Sequence, residues 1–148
     1  MRLIAQTRYS IRVLLDLAMH RNGGLVQVNE IASRQNISLK YLEQIIPPLK
    51  KAGFVNSKRG RCGGHALALP PEIISLGEIV RTLEPEGADG NDADGKGYPE
   101  YQDAMIREAW KDAKEAFYTS LGKITLADLS SDTSRKFWDQ GDFLFLCD

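Results

Sequence analysis

The sequence contains few cysteine and histidine residues, two types that often serve in catalytic and metal sites. Of its 148 residues, two are cysteine and two are histidine. The cysteines, Cys62 and Cys147, cannot supply a disulfide framework, which favours a reducing, cytoplasmic setting. The chain also lacks a nucleophile–base motif and a phosphate-binding glycine loop of the proper spacing. We therefore predict that the protein is not an enzyme and holds no metal and no other cofactor.

Long apolar runs are missing as well. No stretch approaches the roughly 20 apolar residues that a membrane-spanning helix needs, and no signal peptide is recognisable at the start. Hydrophobic residues make up 43% of the chain and charged residues 26%, which is ordinary for a globular protein. We expect no membrane partner, and one modest domain with an added oligomerisation element.

The formal net charge of −1 conceals a strong asymmetry between the two halves of the chain. Residues 1–70 carry 11 Lys/Arg and 3 Asp/Glu, a balance of +8, whereas residues 71–148 carry 8 and 17, a balance of −9. A basic half suits a polyanion such as DNA. The alternative is an uneven surface composition without a partner.

Residues 29–69 contain two short helical patterns joined by a tight turn. Asn29 is the predicted N-cap of the first helix, because its side-chain oxygen can accept a free backbone N–H. Ile37 should fill the angle between the helices, and Ser38 should cap the second helix. This helix–turn–helix order is typical of proteins that read DNA.

The second helical pattern is amphipathic but contains two prolines. Its inward face consists of Leu42, Ile45, Ile46 and Leu49. Pro47 and Pro48 lack N–H groups, and an interior proline costs about 3 kcal/mol. We therefore expect a DNA-reading helix over residues 38–46 that is followed by a kinked last turn to Ala52.

A loop rich in glycine and arginine follows. Residues 54–57 and 65–69 have the pattern of a hairpin around residues 58–64, which we call the wing. Its three cations suit phosphates or the narrow minor groove, whose negative potential attracts arginine. A solvated turn on an ordinary small domain is the alternative.

Together these patterns predict a DNA-binding surface with two parts. The 38–46 helix would read the major groove, and the wing would contact the minor groove or phosphates. The predicted DNA-binding residues are Arg2, Arg8, Ser38, Lys40, Tyr41, Glu43, Gln44, Lys51, Lys58, Arg59, Gly60, Arg61, Gly63 and Gly64.

Two further helices are predicted within the first 84 residues. One spans Thr7 to His20, with Ile11, Leu14, Leu15 and Ala18 as its buried stripe. The other follows Ser75, whose hydroxyl can cap the N–H of Glu78. Residues 1–84 therefore form the predicted winged helix-turn-helix domain.

The second half of the chain begins with residues 85–102, whose glycines and acidic residues predict a flexible acidic loop. Residues 103–148 then hold a predicted dimerisation helix and an apolar C-terminal tail. The predicted dimer contact is the helix's apolar stripe, Ile106, Trp110, Ala113, Phe117 and Leu121. Alternatively, the stripe could simply pack in the core of its own subunit. The tail could fold back, exchange with another subunit or dock a protein partner.

Several of these residues together resemble the Rrf2 family of bacterial transcription regulators. The resemblance rests on Tyr41-Leu42-Glu43-Gln44, on Ala52-Gly53-Phe54-Val55, and on Arg59-Gly60 followed by Gly63-Gly64. It covers residues 1–84 closely and residues 104–130 loosely. It implies a mainly α fold with a small β wing, namely a winged helix-turn-helix domain plus a long C-terminal dimerisation helix. It also implies a homodimeric regulator of double-stranded DNA, and we favour a repressor.

The chain departs from one branch of that family. Cluster-binding members carry three cysteines in the segment that corresponds to residues 85–104, and a histidine three residues beyond the last. Alignment on Trp110 puts Ala104 and Arg107 at those last two positions. An iron–sulfur cluster needs thiolates or an equivalent ligand set, so we expect none here. Members that lack the cysteines respond through a protein partner.

Two alternative functions remain open. The protein could be an interaction regulator that docks an enzyme partner through its C-terminal part. It could also be a thiol redox sensor, because Cys62 lies between Arg61 and Gly63, and cationic neighbours make a thiol easier to oxidise. We prefer an ordinary loop role for Cys62.

Overall fold

The structure is a computed structural model that describes residues 3–84 and 100–131. Over these residues the protein is mainly helical with one small antiparallel sheet, so the predicted fold class is confirmed. A single 3-10 turn, Arg21–Gly23, follows the first helix, and residues 126–131 form a last short helix. The main elements are α1 (Ala5–Met19), α2 (Val28–Gln35), α3 (Leu39–Lys51), β1 (Val55–Lys58), β2 (Gly64–Leu67), α4 (Leu76–Leu83) and α5 (Glu100–Gly122).

Helix α1 is the central element of the domain, because α2, α3, α4 and β2 all pack against it. Its buried face differs from the predicted stripe. Val13, Leu14 and Leu17 are fully buried, whereas Ile11 and Leu15 are only half-buried. The prediction was right for Leu14 and Ala18, which are buried, and wrong for Ile11 and Leu15. Neighbours cover α1 on several sides, so burial is not confined to one helical face.

Helix α2 begins earlier than predicted. Its N-cap is Gln27 and not Asn29. The Glu30 carboxylate accepts a hydrogen bond from the Gln27 backbone N–H at 2.9 Å, which is half of a capping box. The helix ends at Asn36, whose backbone is left-handed at φ 51°. The chain then turns into α3.

The start of α3 agrees with the prediction. Ile37 is buried between the helices, and the Ser38 hydroxyl accepts a hydrogen bond from the Tyr41 N–H at 3.1 Å. The predicted inward face is also confirmed, since Leu42, Ile45, Ile46 and Leu49 are all buried.

Helix α3 runs through Pro47 and Pro48 to Lys51, so the predicted last turn is helical and the helix does not end at residue 46. The carbonyls that lose their N–H partners belong to Glu43 and Gln44. Both residues are exposed, so water can donate hydrogen bonds to these carbonyl oxygens. Each fully buried Leu or Ile side chain contributes about 1.5–3 kcal/mol. Four such residues offset the cost of about 3 kcal/mol for each interior proline. Gly53, at φ +83°, then ends the helix.

The hairpin follows α3 directly and packs against it. Strands β1 and β2 pair from Val55 with Leu67 to Lys58 with Gly64. A third segment adds one bridge, in which the Val26 N–H donates to the His65 carbonyl at 2.8 Å and the His65 N–H donates back at 2.7 Å. This bridge fixes the base of the wing to the start of the helix-turn-helix.

Helix α5 is attached to the domain by its C-terminal third. At Gly77 of α4, an added Cβ would lie 2.7–2.9 Å from backbone atoms of Tyr118 and Gly122. The Arg81 guanidinium donates to the Glu115 carboxylate at 3.0 Å and lies 4.5 Å from the centre of the Tyr118 ring. Because α5 begins at Glu100, residues 100–102 of the predicted loop are helical. Residues 85–99 and the apolar tail from 132 onwards lie outside the described residues.

Candidate nucleic-acid interface

The first turns of α3 present a row of polar side chains to solvent. Lys40, Glu43 and Gln44 are all exposed, and their spacing puts them on the face opposite the buried leucines and isoleucines. A cation, a carboxylate and an amide are the groups that recognise guanine, cytosine and adenine edges in the major groove. The Ser38 hydroxyl is occupied in capping the helix, so its role in the site is to fix where α3 begins.

Tyr41 differs from its polar neighbours because it is half-buried. Its ring meets the Tyr9 ring edge to face, with centroids 5.3 Å apart. The Arg12 guanidinium in turn lies 5.2 Å from the centre of the Tyr9 ring. Tyr41 is one of the predicted DNA-binding residues, but the contact with α1 holds its ring against the domain. Such aromatic pairs contribute about 0.5–1.5 kcal/mol beyond their buried area.

A charged cluster connects α1 to the end of α2. Asp16 is only 2% exposed and accepts two hydrogen bonds from the Arg34 guanidinium, at 2.9 and 2.8 Å. It also accepts one from the Gln35 amide at 3.0 Å. Arg12 donates to the Gln35 backbone carbonyl, so the cluster is continuous with the Tyr9–Tyr41 pair. The hydrogen bond to Asp16 raises the pKa of Arg34, which stays charged.

The wing carries three of the predicted phosphate or minor-groove contacts. Lys58 is the last residue of β1, and Arg59 and Arg61 lie in the connecting loop, with all three exposed. Gly60 has φ +112°, a backbone conformation that glycine adopts without strain. The wing therefore presents three exposed cations within four residues, on the hairpin that follows α3.

Gly63 and Gly64 have a structural role at the end of the wing. A Cβ on Gly63 would lie 2.1 Å from the Lys58 carbonyl oxygen. A Cβ on Gly64 would lie 2.7 Å from the Val26 carbonyl oxygen. Both glycines are required for the close backbone contacts that shape the wing.

His65 lies at the base of the wing. Its Nδ1 and the Ser57 hydroxyl are 2.6 Å apart, in hydrogen-bond contact across the two strands. Burial, and secondarily the charge of Lys50, lower the pKa of His65. The neutral form of His65 is therefore favoured in the folded wing.

The remaining basic residues of the predicted surface are dispersed around it. Arg8 is exposed on α1, and Lys51 is exposed on the last turn of α3. Arg2 lies outside the described residues. The exposed polar row and Tyr41, which contacts Tyr9 of α1, thus lie on the same helix, α3. The wing follows α3 directly in the chain.

Over the first turns of α5, the apolar stripe is exposed in the part of the chain that the structure describes. Ile106 is 68% exposed and Trp110 is 51% exposed. Ala113 is exposed too, whereas Phe117 and Leu121 are half-buried. Glu115, which pairs with α4, follows Ile106 by about two and a half helical turns and so lies on the other side of α5. The stripe therefore points away from the attachment to α4.

Comparison with known proteins identifies the family. The Rrf2 family, described as iron-dependent transcriptional regulators, matches residues 3–132. The chain belongs to the Rrf2 family. It is 41% identical to protein rrf2 of Nitratidesulfovibrio vulgaris, with 90% of each chain covered. It is 37% identical to the HTH-type transcriptional regulator IscR of Klebsiella pneumoniae, over 87% of this chain and 79% of that one.

Solved structures of Rrf2 proteins have the same architecture. IscR of T. potens superposes with a TM-score of 0.71 at 34% identity, covering 90% of this chain and 88% of that chain. CymR of B. subtilis, the global cysteine regulator, superposes with a TM-score of 0.71 at 32% identity, covering 88% and 97%. The protein is thus a DNA-binding transcription regulator of the Rrf2 family with a winged-helix fold.

The family description implies iron, but the residues of this Rrf2 protein do not suit an iron–sulfur cluster. The chain contains only two cysteines, Cys62 and Cys147. Cys62 is exposed in the wing. Where cluster binders carry the last cysteine and the histidine, α5 has Ala104 and Arg107. Among the residues described, no group of three or more His, Cys, Asp or Glu side chains could hold a metal.

Three residues that shape this interface were not singled out as site residues by sequence reasoning. They are Tyr9, Arg12 and Asp16, all on α1. A buried aspartate inside an otherwise apolar helical face is a signal that could have been noticed, because such a charge needs a partner.

None of the helices in the described part of the chain is long and apolar enough to cross a membrane.

Proposed function

We propose that this Rrf2 protein is a homodimeric repressor that reads a two-fold symmetric operator with α3 and the wing. The observation that carries the proposal is the exposed row of Lys40, Glu43 and Gln44 at the start of α3. These side chains can reach base edges when the N-terminal end of a reading helix enters the major groove.

The charge distribution supports this orientation on DNA. Residues 1–70, which hold α1 to α3 and the wing, have a balance of +8. The exposed cations Lys58, Arg59 and Arg61 lie on the hairpin that follows α3 directly in the chain. Arginine in a narrow minor groove, or at the adjacent phosphates, would hold α3 in register.

The apolar stripe supports the dimer. Exposed Ile106 and Trp110 lie on a helix that contacts α4 further along, at Tyr118 and Gly122. A second copy of α5 would bury this stripe. A symmetric dimer would then present two reading helices to half-sites about 34–36 Å apart on the duplex.

The experiment for DNA recognition is a gel shift on the protein's own upstream region. We expect a shifted band that an unlabelled specific duplex displaces and a scrambled duplex does not, together with lower transcription of a reporter. Treatment with oxidant should leave binding unchanged if Cys62 is an ordinary loop residue. Loss of binding on oxidation in the wild type, but not in Cys62→Ser, would instead support the thiol-sensor alternative.

The experiment for the dimer is sedimentation of the Trp110→Glu variant. A carboxylate in the centre of a buried apolar contact would cost several kcal/mol, so we expect a monomer at micromolar concentration. Thr119→Glu is the matched control, because Thr119 is exposed and lies about two and a half turns further on, on the opposite side of α5. A Trp110→Glu protein that stays dimeric would contradict the proposed interface.

A further inference from the structure

Helix α3 begins with an apolar side chain that the core does not use. Leu39 is the first residue of the helix and is 46% exposed. The other large apolar residues of α3, which are Leu42, Ile45, Ile46 and Leu49, are at most 6% exposed. The buried face of α3 is therefore complete without Leu39.

The position of Leu39 relates it to the reading face. It precedes Glu43 by four residues, so the two side chains lie one above the other on the same side of α3. Lys40 and Gln44 form a second such pair beside them, and Leu39, Lys40, Glu43 and Gln44 are all exposed. The first turns of α3 thus present one apolar side chain and three that form hydrogen bonds.

These four side chains differ in what they can recognise. Cations, carboxylates and amides pair with the donors and acceptors of guanine, cytosine and adenine. The 5-methyl group of thymine is the one major-groove feature that offers no hydrogen bond, and an apolar side chain is what contacts it. On a surface rich in Lys and Arg, an exposed leucine at the reading end of α3 suits that methyl group.

We propose that Leu39 determines specificity by packing against the 5-methyl group of a thymine in each half-site. The proposal rests on α3 being the reading helix, as set out above. Burial of one methyl group changes affinity by about fourfold. With one such contact in each half-site of a dimer, the combined effect would be about 15-fold.

The test uses an operator selected by the purified protein from random duplexes. Each thymine of both half-sites is replaced symmetrically by deoxyuridine, which removes only the methyl group, and the Kd is measured for wild type, Leu39→Ala and Leu69→Ala. Leu69 is the control, because it is similarly exposed at 40% but lies two residues beyond the end of β2 and is not part of α3.

We expect one thymine position at which deoxyuridine weakens wild-type and Leu69→Ala binding by about 15-fold, while Leu39→Ala binding hardly changes there. If selection yields a defined operator but Leu39→Ala keeps the wild-type sensitivity at every thymine, Leu39 does not make the contact and the reading helix still stands. If deoxyuridine weakens binding at no thymine position, Leu39 likewise does not make the contact and the assignment of α3 as the reading helix is unaffected. If selection yields no common sequence, both this inference and the proposed function are wrong.

Discussion

Removal of the Asp16 carboxylate should destabilise the protein more than any exposed ion pair does. In Asp16→Ala, Arg34 loses two hydrogen bonds and Gln35 loses one. Breaking a buried pair by removing one partner typically costs 3–5 kcal/mol. Because the Arg34 side chain is 32% exposed and water can reach it, we expect the lower end, about 3 kcal/mol. For a chain of this size, the expected fall in Tm is roughly 10 °C.

The assay is urea unfolding and thermal denaturation of Asp16→Ala and Asp16→Asn beside the wild type. Asparagine keeps the shape and part of the hydrogen bonding, so its loss should be intermediate. Glu115→Ala is the control, because it removes a similar ion pair with Arg81 whose two side chains are both about half exposed, and it should change Tm little. A loss below about 1 kcal/mol for Asp16→Ala would refute the view that this cluster ties α1 to α2.

Three further predictions concern the wing, the attachment of α5 and metal content. Because burial lowers the pKa of His65, the unfolded chain takes up a proton at higher pH than the folded protein. Stability should therefore be complete above about pH 6.5 and fall as the pH decreases from there, and His65→Gln should flatten that dependence in urea titrations. Gly77→Ala should lower stability by about 1–3 kcal/mol, because the new Cβ meets α5 backbone. Gly23→Ala should not lower stability, because a Cβ there would meet nothing within 4 Å. Anaerobically purified protein should be colourless, and stoichiometric iron with a visible absorption band would contradict this.

Local signals in the sequence were sufficient to predict much of the helix-turn-helix. The cap at Ser38 and the buried position of Ile37 between the helices depend on neighbouring residues, and both are observed. The reading-helix core was also predictable, because a 3.6-residue period fixes which side chains share a face.

The features that the sequence did not reveal depend on tertiary contacts. The continuity of α3 through Pro47 depends on how much apolar surface its far side buries, which local propensity does not report. The Tyr9–Tyr41 contact joins residues that are distant along the chain. The stripe of α5 could be recognised, but not that Tyr118 and Gly122 attach this helix to α4.

The division of work between α3 and the wing is the central claim, and a salt titration of DNA binding tests it most directly. The Kd of wild type, Gln44→Ala and Arg61→Ala is measured on operator and scrambled duplexes over a range of salt. Gln44→Ala should lose about 1–3 kcal/mol of discrimination per base contact with an unchanged salt slope. Arg61→Ala should weaken both duplexes alike and flatten the slope by about one unit per subunit. Equal losses on both duplexes for Gln44→Ala would show that α3 does not read the sequence.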